Sequence, residues 1–127
     1  MNEQRIDQEA EALLERGTER GSRGDWQRAI DDYTAVIAMD GLTAEQKARA
    51  LFNRGLSHAR RDEPGDWQGA VDDYAAVVAM DDAPADYKGQ ALVNRASCYS
   101  LRDEPGDWQQ AVNDYTAVID RGDVSEE

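Results

Sequence analysis

The sequence has few of the residues on which catalytic and metal sites usually depend. Among its 127 residues there is one cysteine, Cys98, and one histidine, His58. A single cysteine cannot form an internal disulfide or a thiolate metal cluster. No nucleophile–base pair, metal cage or paired catalytic carboxylate is recognisable in the sequence. We therefore predict that the protein is not an enzyme and that it needs neither a cofactor nor a metal.

Basic residues and long apolar runs are also scarce. The chain has 14 lysines and arginines against 27 aspartates and glutamates, which gives a net charge of −13. This balance disfavours nucleic acids and anionic membranes as partners, because binding to either depends on clustered positive charge. No apolar run is long enough for a transmembrane helix, and residues 1–10 lack the apolar core of a signal peptide. We expect a cytoplasmic protein that binds neither nucleic acid nor membrane.

What the sequence does contain is a threefold internal repeat. Gly-Asp-Trp occurs at residues 24–26, 65–67 and 106–108, so that successive tryptophans are 41 residues apart. An internal period of this length indicates stacked supersecondary units. We predict three units, at about residues 3–40, 43–81 and 84–122.

Each unit has the apolar spacing of two helices. After the turn of the first unit, the apolar residues are three or four positions apart, as on one face of a helix. These residues are Trp26, Ala29, Ile30, Tyr33, Val36 and Ile37. Asp25, Asp66 and Asp107 stand where the second helix of each unit needs an N-cap. Thr43 and Gln46 form a predicted capping box at the start of the second unit.

A small residue in the first helix of each unit and an Ala-x-x-x-Tyr pair in the second resemble the tetratricopeptide repeat. The small residues are Gly17, Gly55 and Ala96, and the tyrosines are Tyr33, Tyr74 and Tyr115. The resemblance implies an all-α fold, a right-handed α-solenoid of three helix-turn-helix repeats with six helices. The family period is shorter, about 34 residues, and a HEAT-type repeat of roughly 40–47 residues stays an alternative.

An arginine and an aspartate recur at fixed places in every unit. The predicted pairs are Arg16 with Asp32, Arg54 with Asp73, and Arg95 with Asp114. We expect each pair to lie partly buried between the two helices of its unit, where it would fix their register. His58 of the second unit corresponds to Tyr99 of the third, and Cys98 of the third corresponds to Ser57 of the second. We therefore interpret His58 and Cys98 as packing residues.

In tetratricopeptide proteins the first helices of successive units line a concave groove that holds a peptide or a helix. The candidate groove residues implied by the resemblance are Glu15, Arg49, Phe52, Asn53, Leu56, Arg60, Gln90, Asn94, Ser97 and Leu101, with Leu14 and Val93 on the same walls. Asn53 and Asn94 stand where family members can hydrogen-bond the ligand backbone. The places of the basic clamp for chaperone tails hold Leu14, Gln90 and Asn94, which disfavours such tails.

The predicted function is that of a non-catalytic scaffold whose partner is a protein or peptide bound in this groove. One alternative is a homo-oligomer formed through the exposed ends of the array, with Val112, Val118 and Ile119 on an uncovered face of the last helix pair. Another is an accessory segment of an enzyme whose catalytic domain lies elsewhere. Because residues 124–127 align with the opening of the second unit, we expect a fragment of a longer array.

Overall fold

The computed structural model describes residues 3–121, which form six α-helices. The helices are α1 (Glu3–Ser22), α2 (Trp26–Ile37), α3 (Ala44–Arg61), α4 (Asp66–Ala79), α5 (Ala85–Arg102) and α6 (Asp107–Arg121). Each helix packs against the next, and the first helices also touch in series, α1 with α3 and α3 with α5. This is the expected all-α helical repeat solenoid. Residues 122 and 124–127, the predicted end of the third unit and opening of another, lie outside the described residues.

The turns within the units come in two lengths. In the first unit Gly24, with a φ of 77°, closes a short turn between α1 and α2. In the other units three further residues follow the first helix, beginning at Asp62 and Asp103, which both adopt the left-handed conformation with a φ of 53°. Equivalent residues of α1 and α3 are therefore 38 positions apart, as Gly17 and Gly55 are, whereas the later first helices and all second helices repeat every 41 residues.

The predicted N-caps at the aspartates of the Gly-Asp-Trp turns are wrong in detail. Asp25 is the N-cap of α2, but its side chain makes no capping hydrogen bond. Asp66 and Asp107 are instead the first residues of α4 and α6. The Asp66 carboxylate points back into the turn, where the Glu63 N–H and the Arg61 guanidinium each donate to it at 2.9 Å. At Asp66, and at Asp107 beside Arg102, the cause is the arginine, because a charge-assisted bond outcompetes one from a neutral helix N–H.

The predicted capping box at the start of α3 is confirmed. The Gln46 N–H donates to Thr43 Oγ1, and the Thr43 N–H donates to Gln46 Oε1, both at 3.1 Å. The Gln46 amide also donates to Asp7 Oδ1 at 2.7 Å. The capping box thus gives a backbone N–H at the start of α3 its hydrogen-bond partner, and the Gln46 side chain joins α3 to α1.

The core of each unit depends on the close approach of a first helix to a tyrosine of the second. A Cβ atom on Gly17 would lie 2.7 Å from the Tyr33 ring, and one on Gly55 would lie 2.9 Å from the Tyr74 ring. Both tyrosines are buried. The small residue therefore allows the two helices to pack with a large aromatic ring between them.

None of the six described helices combines the length and apolar character that crossing a bilayer requires.

All three predicted arginine–aspartate pairs are formed. The shortest distance between guanidinium nitrogen and carboxylate oxygen is 2.7 Å for Arg16 with Asp32, Arg54 with Asp73, and Arg95 with Asp114. The aspartates are buried, and the arginines of the second and third units are half-buried. Each pair joins the first helix of a unit to the second and supplies the partners that a buried carboxylate needs.

Candidate functional site

Two cavities lie along the first helices, one at each junction between units. The first junction pocket, between α1, α2 and α3, has a volume of about 210 Å³ and is lined by Thr18, Gly21, Ser22, Trp26, Tyr33, Asn53, Leu56, Ser57 and Arg60. The second junction pocket, between α3, α4 and α5, has a volume of about 180 Å³ and is lined by Leu56, Ala59, Arg60, Trp67, Tyr74, Asn94, Ser97, Cys98 and Leu101.

The two junction pockets are one structure built twice. The shifts of 38 residues for α1 and 41 for the other helices convert every lining residue of the first pocket into a lining residue of the second. The tryptophan, the tyrosine and the asparagine are unchanged between the pockets. Because α3 is a wall of both, Leu56 and Arg60 line both pockets. The repeat of the sequence therefore produces a row of two equivalent recesses.

The walls of the two junction pockets differ in polarity. The first pocket has three hydroxyl-bearing wall residues, Thr18, Ser22 and Ser57. Their equivalents in the second pocket are Leu56, Arg60 and Cys98. Arg60, which closes the first pocket, corresponds to Leu101 in the second. The second pocket is thus the more apolar at its far end, and the first can accept hydrogen bonds at its walls, since its three hydroxyls already donate to carbonyls of their own helices.

A buried tyrosine forms the floor of each junction pocket. The Tyr33 hydroxyl lies 3.4 Å from Thr18 Oγ1. Burial raises the pKa of Tyr33 and, by more, that of Tyr74, although a hydrogen bond with Asn94 and the charge of Arg60 offset part of the rise at Tyr74. Both phenols therefore stay protonated, and each floor combines an apolar ring with one hydroxyl.

Arg60 supplies the cationic charge of the two pockets. Its side chain is exposed and lines both of them, and within residues 3–121 it forms no ion pair. Arg49, the other arginine among the candidate groove residues, differs because its guanidinium donates to Glu11 Oε1 at 3.1 Å. The positive charge of the row is therefore concentrated on a side chain that two pockets share.

Most of the sequence-predicted groove residues lie in the junction pockets. Those that line one or both pockets are Asn53, Leu56, Arg60, Asn94, Ser97 and Leu101. Gln90 lines a third cavity of about 340 Å³ between α5 and α6, which it shares with Asn94. Glu15 is exposed on α1, outside the residues that line the junction pockets, and Arg49 is half-buried beside Glu11.

Phe52 does not line the groove, contrary to the prediction. Its buried ring lies 5.7 Å from the Tyr74 ring and 5.8 Å from the Tyr87 ring, measured between centroids. The equivalent residues Leu14, Phe52 and Val93 are 0%, 8% and 37% exposed, in chain order. The following first helix covers the first two, whereas the described residues contain no first helix after α5 that could cover Val93 in the same way. This position therefore serves packing between first helices, and Leu14 is also a core residue.

The pocket floors belong to the second helices and were not among the predicted groove residues. The resemblance placed the binding residues on first helices alone, yet Trp26, Tyr33 and their equivalents Trp67 and Tyr74 line the pockets. The available signal was their identity in every unit, which was used above only as evidence for the repeat. Tyr74 is both, since it is buried in the core and its hydroxyl edge faces the pocket.

The outer face of α6 carries an exposed apolar stripe. Trp108, Val112, Tyr115 and Ile119 are all exposed large side chains, spaced three or four positions apart along one helix face. Val118, predicted to lie on the same uncovered face, is buried instead. The correction follows from helix geometry, because Val118 points toward α5 and lines the cavity there with Val93.

His58 has a polar role that its interpretation as a packing residue missed. Its ring lies 3.3 Å from where a Cβ of Gly69 would stand, so it does pack between α3 and α4. Its Nδ1 is also 2.8 Å from Asp66 Oδ1, in the carboxylate cluster at the turn. The Asp66 carboxylate is thereby shared by Arg61, His58 and the Glu63 N–H, which hold its pKa far below the usual range. The turn carboxylate is thus engaged within its own unit.

Comparison with known proteins identifies the fold and the family. The chain is similar to a solved structure described as the second tetratricopeptide domain of Spaghetti (RPAP3) bound to the HSP90 peptide SRMEEVD. The TM-score is 0.72 at 24% sequence identity, over 92% of this chain and 94% of that one. Comparison with curated proteins gives no match. A family model described as tetratricopeptide repeat matches residues 14–87. The chain belongs to the tetratricopeptide repeat family.

Proposed function

We propose that the chain is a non-catalytic protein-interaction scaffold, and that it binds a peptide across the two junction pockets. The observation that carries the proposal is the repetition of the pocket. Equivalent positions of successive units line it at both junctions. A ligand that lies along the row meets the same apolar floor and the same asparagine twice. Repeat proteins commonly form extended binding surfaces of this kind.

The structural neighbour supports the general class of this function. That protein is described as bound to an HSP90 peptide. The same peptide is not the expected ligand here, because the places that the family's basic clamp would occupy hold Leu14, Gln90 and Asn94. Leu14 is moreover fully buried and offers a ligand nothing. The proposed ligand therefore engages the pockets by other chemistry.

The groove is tested by selecting ligands and then removing the shared asparagines. Peptides selected on the purified chain from a phage-displayed library of random dodecamers are synthesised with a fluorescent label. We expect Asn53→Ala combined with Asn94→Ala to weaken their binding about tenfold or more, because two hydrogen-bonding amides are lost. Helicity is followed by circular dichroism, and the matched control is Asn113→Ala, since Asn113 is exposed on α6 away from the pockets.

The proposal fails if no peptide is selected, or if the selected peptides bind the double variant as tightly as the original chain. It also fails if Asn113→Ala weakens binding equally. Loss of helicity in the double variant is separated from loss of contact by the single variants, each of which removes one pocket's amide.

Self-association through α6 is a second candidate, favoured by the exposed apolar stripe on that helix. Beside the stripe stands Asn113, where α2 and α4 have Asp31 and Asp72. This exchange removes a negative charge from a surface that a second, equally acidic copy would approach. A head-to-tail stack is disfavoured, because α1 has Glu19 at the place where α3 has the buried Ser57. The expected assembly is a dimer with its α6 faces together.

Sedimentation equilibrium over a wide concentration range tests this candidate. The dimer should dissociate on Val112→Asp, which puts a charge in the centre of the stripe, and should persist on Gln110→Asp, which adds the same charge to an exposed position of the same helix. A chain that stays monomeric at every concentration contradicts the candidate and leaves the peptide groove untouched.

A further inference from the structure

We infer that the groove selects an internal, extended peptide segment in which an acidic side chain stands between two apolar ones. The inference rests on the proposed function and names the ligand that the two junction pockets fit. The apolar side chains would occupy the pockets, and the carboxylate would pair with Arg60. Three features of the structure lead to this assignment: the charge of Arg60, its position between the pockets, and the nature of the pocket floors.

The charge of Arg60 specifies the acidic residue. In a chain with a net charge of −13, this guanidinium is exposed and forms no ion pair within residues 3–121. By contrast, Arg54 and Arg61, on the same helix, each hold a buried carboxylate at 2.7 to 2.8 Å. An exposed arginine fork is suited to bidentate recognition of a carboxylate. The remaining acidic surface would repel an anionic ligand elsewhere, so attraction is confined to this point of the row.

The position of Arg60 specifies a carboxylate within the peptide instead of one at its end. Arg60 closes the first junction pocket and opens the second, since it lines both. A chain that fills both pockets must therefore pass Arg60 between its two anchor residues. A terminal carboxylate at Arg60 would leave one pocket empty. The ligand that buries the most apolar surface consequently presents an aspartate or glutamate side chain there.

The pocket floors specify the apolar anchors. Each floor is made of a tryptophan and the ring of a buried tyrosine, which gain most from an apolar side chain placed on them. The walls make the anchors unequal. The second pocket ends at Leu101 and accepts an aliphatic side chain, whereas Thr18 and Ser22 allow the first pocket to accept one with a polar tip. The peptide is thereby given a direction along the row.

The spacing of the pockets and their amides favours an extended ligand. The first helices pack directly against each other, and packed helices are about 8–10 Å apart. An extended or polyproline-like segment advances about 3.1–3.4 Å per residue, so anchors three residues apart span this distance. Asn53 and Asn94 would bond the free backbone groups of such a segment. A helical ligand has few free backbone groups, because its N–H and C=O groups are hydrogen-bonded to each other. A bound helix would need anchors about seven residues apart.

The experiment measures the coupling between Arg60 and the ligand's acidic residue. Dodecamers selected on the original chain are aligned, and the best is synthesised in four forms, with the acidic residue or its amide counterpart and with a free or amidated C-terminus. Each form is titrated against the original chain, Arg60→Gln and the matched control Arg28→Gln, whose exposed arginine lies on α2. A double-mutant cycle isolates the pair, because each single change removes the same interaction.

We expect an aspartate or glutamate between two apolar residues three positions apart in the selected peptides. Arg60→Gln should weaken binding of the acidic form about tenfold and that of the amide form by less than about twofold. Arg28→Gln should leave both unchanged, and amidation of the C-terminus should have no effect. Circular dichroism controls for folding, which we expect to be unaffected because Arg60 is exposed.

The possible failures separate this inference from the proposed function. Peptides that lose binding on Asn53→Ala with Asn94→Ala, but lack an acidic residue or show no coupling to Arg60, overturn the inference and leave the groove standing. Sensitivity to amidation, or anchors seven residues apart, overturns the internal or the extended ligand respectively. Peptides that are insensitive to the asparagine changes overturn both the inference and the proposed function.

Discussion

The helices α4 and α6 are identical at 9 of 14 aligned positions and lie in very different surroundings. Tyr74 is 1% exposed and Val71 is 6% exposed, whereas their equivalents Tyr115 and Val112 are 41% and 53% exposed. The difference comes from one neighbour, because α5 packs on α4 and no described helix packs on α6 in that way. The same residues therefore form core in one unit and surface in the next.

The comparison shows that burial in this fold belongs to the junction between units. Each unit buries the alanine of its Ala-x-x-x-Tyr pair by itself, as Ala111 shows, but the tyrosine ring becomes core only where a following first helix covers it. The junction pockets arise in the same way, since each needs a floor from one unit and a wall from the next. Stability and binding surface are thus produced by the same contacts, and within residues 3–121 no following unit supplies them to the third unit.

Removing the tyrosine from each unit tests this difference most strongly. We expect Tyr74→Ala to lower the free energy of unfolding by about 3–5 kcal/mol, because it leaves a cavity among buried side chains. Tyr115→Ala should cost about 1 kcal/mol, since that ring is already partly in water. Urea denaturation followed by circular dichroism at low protein concentration measures both. Equal losses would contradict the comparison and would indicate that α6 is covered in solution.

Much of the fold could be predicted because the pattern of two helices and a turn occurs in the sequence three times. The helix pairs and the arginine–aspartate pairs depend on local spacing that repeats from unit to unit, and the capping box at Thr43 depends on the local sequence at the start of α3. Asp73 needs a partner wherever a helix pair buries it, and Arg54 stands within reach on the facing helix. Such features are decided within a unit and can be recognised from one period of the sequence.

What could not be predicted depends on neighbouring units. Phe52 and Val93 occupy one position of the repeat, yet one is core and the other surface, because only the first is followed by a first helix. The equivalence of the two junction pockets is likewise recognisable only when α1 and α3 are aligned with a shift of 38 residues, which depends on the length of the turn in each unit. At the turns, neighbouring polar groups compete for the same hydrogen bonds. The Asp66 carboxylate accepts from Arg61 and does not cap α4 as predicted.

The small residue opposite each tyrosine offers a second, smaller test of the comparison. Gly55→Ala puts a Cβ 2.9 Å from the Tyr74 ring, which α5 holds in place, and should cost about 1–3 kcal/mol of stability. The third unit already has Ala96 at this position, beside the less confined Tyr115. Ala96→Gly should therefore cost only about 0.5–1 kcal/mol, through the backbone entropy of glycine.

Thermal and urea denaturation of both variants check these values. A stabilising effect of Gly55→Ala would mean that the Tyr74 ring withdraws without penalty, and that confinement by α5 is weaker than the buried surface indicates. Such a result would reduce the contrast between the interior and terminal units to the exposed stripe on α6.

Acid titration should show the smallest effect, because the turns do not depend on the following unit. Hydrogen bonds from the guanidinium of Arg61 lower the pKa of Asp66, and those from Arg102 lower the pKa of Asp107. Since each folded pKa lies below the unfolded value of about 3.9, the stability they contribute is present above that pH and is lost as the pH falls through the lowered folded value. Asp66→Asn should thus cost most at pH 6 and less at pH 3, a change of about 1 kcal/mol after solvent screening.

Asp107→Asn should shift with pH in the same direction, measured by urea denaturation at both values. The two variants are compared because Asp66 has His58 as an additional partner, whereas Tyr99 stands at that place in the third unit. A pH dependence confined to Asp66→Asn would assign the effect to the histidine. Parallel curves would assign it to the arginine that both turns share. The second result is the expected one, because the arginine is the largest cause of the lowered pKa at both aspartates.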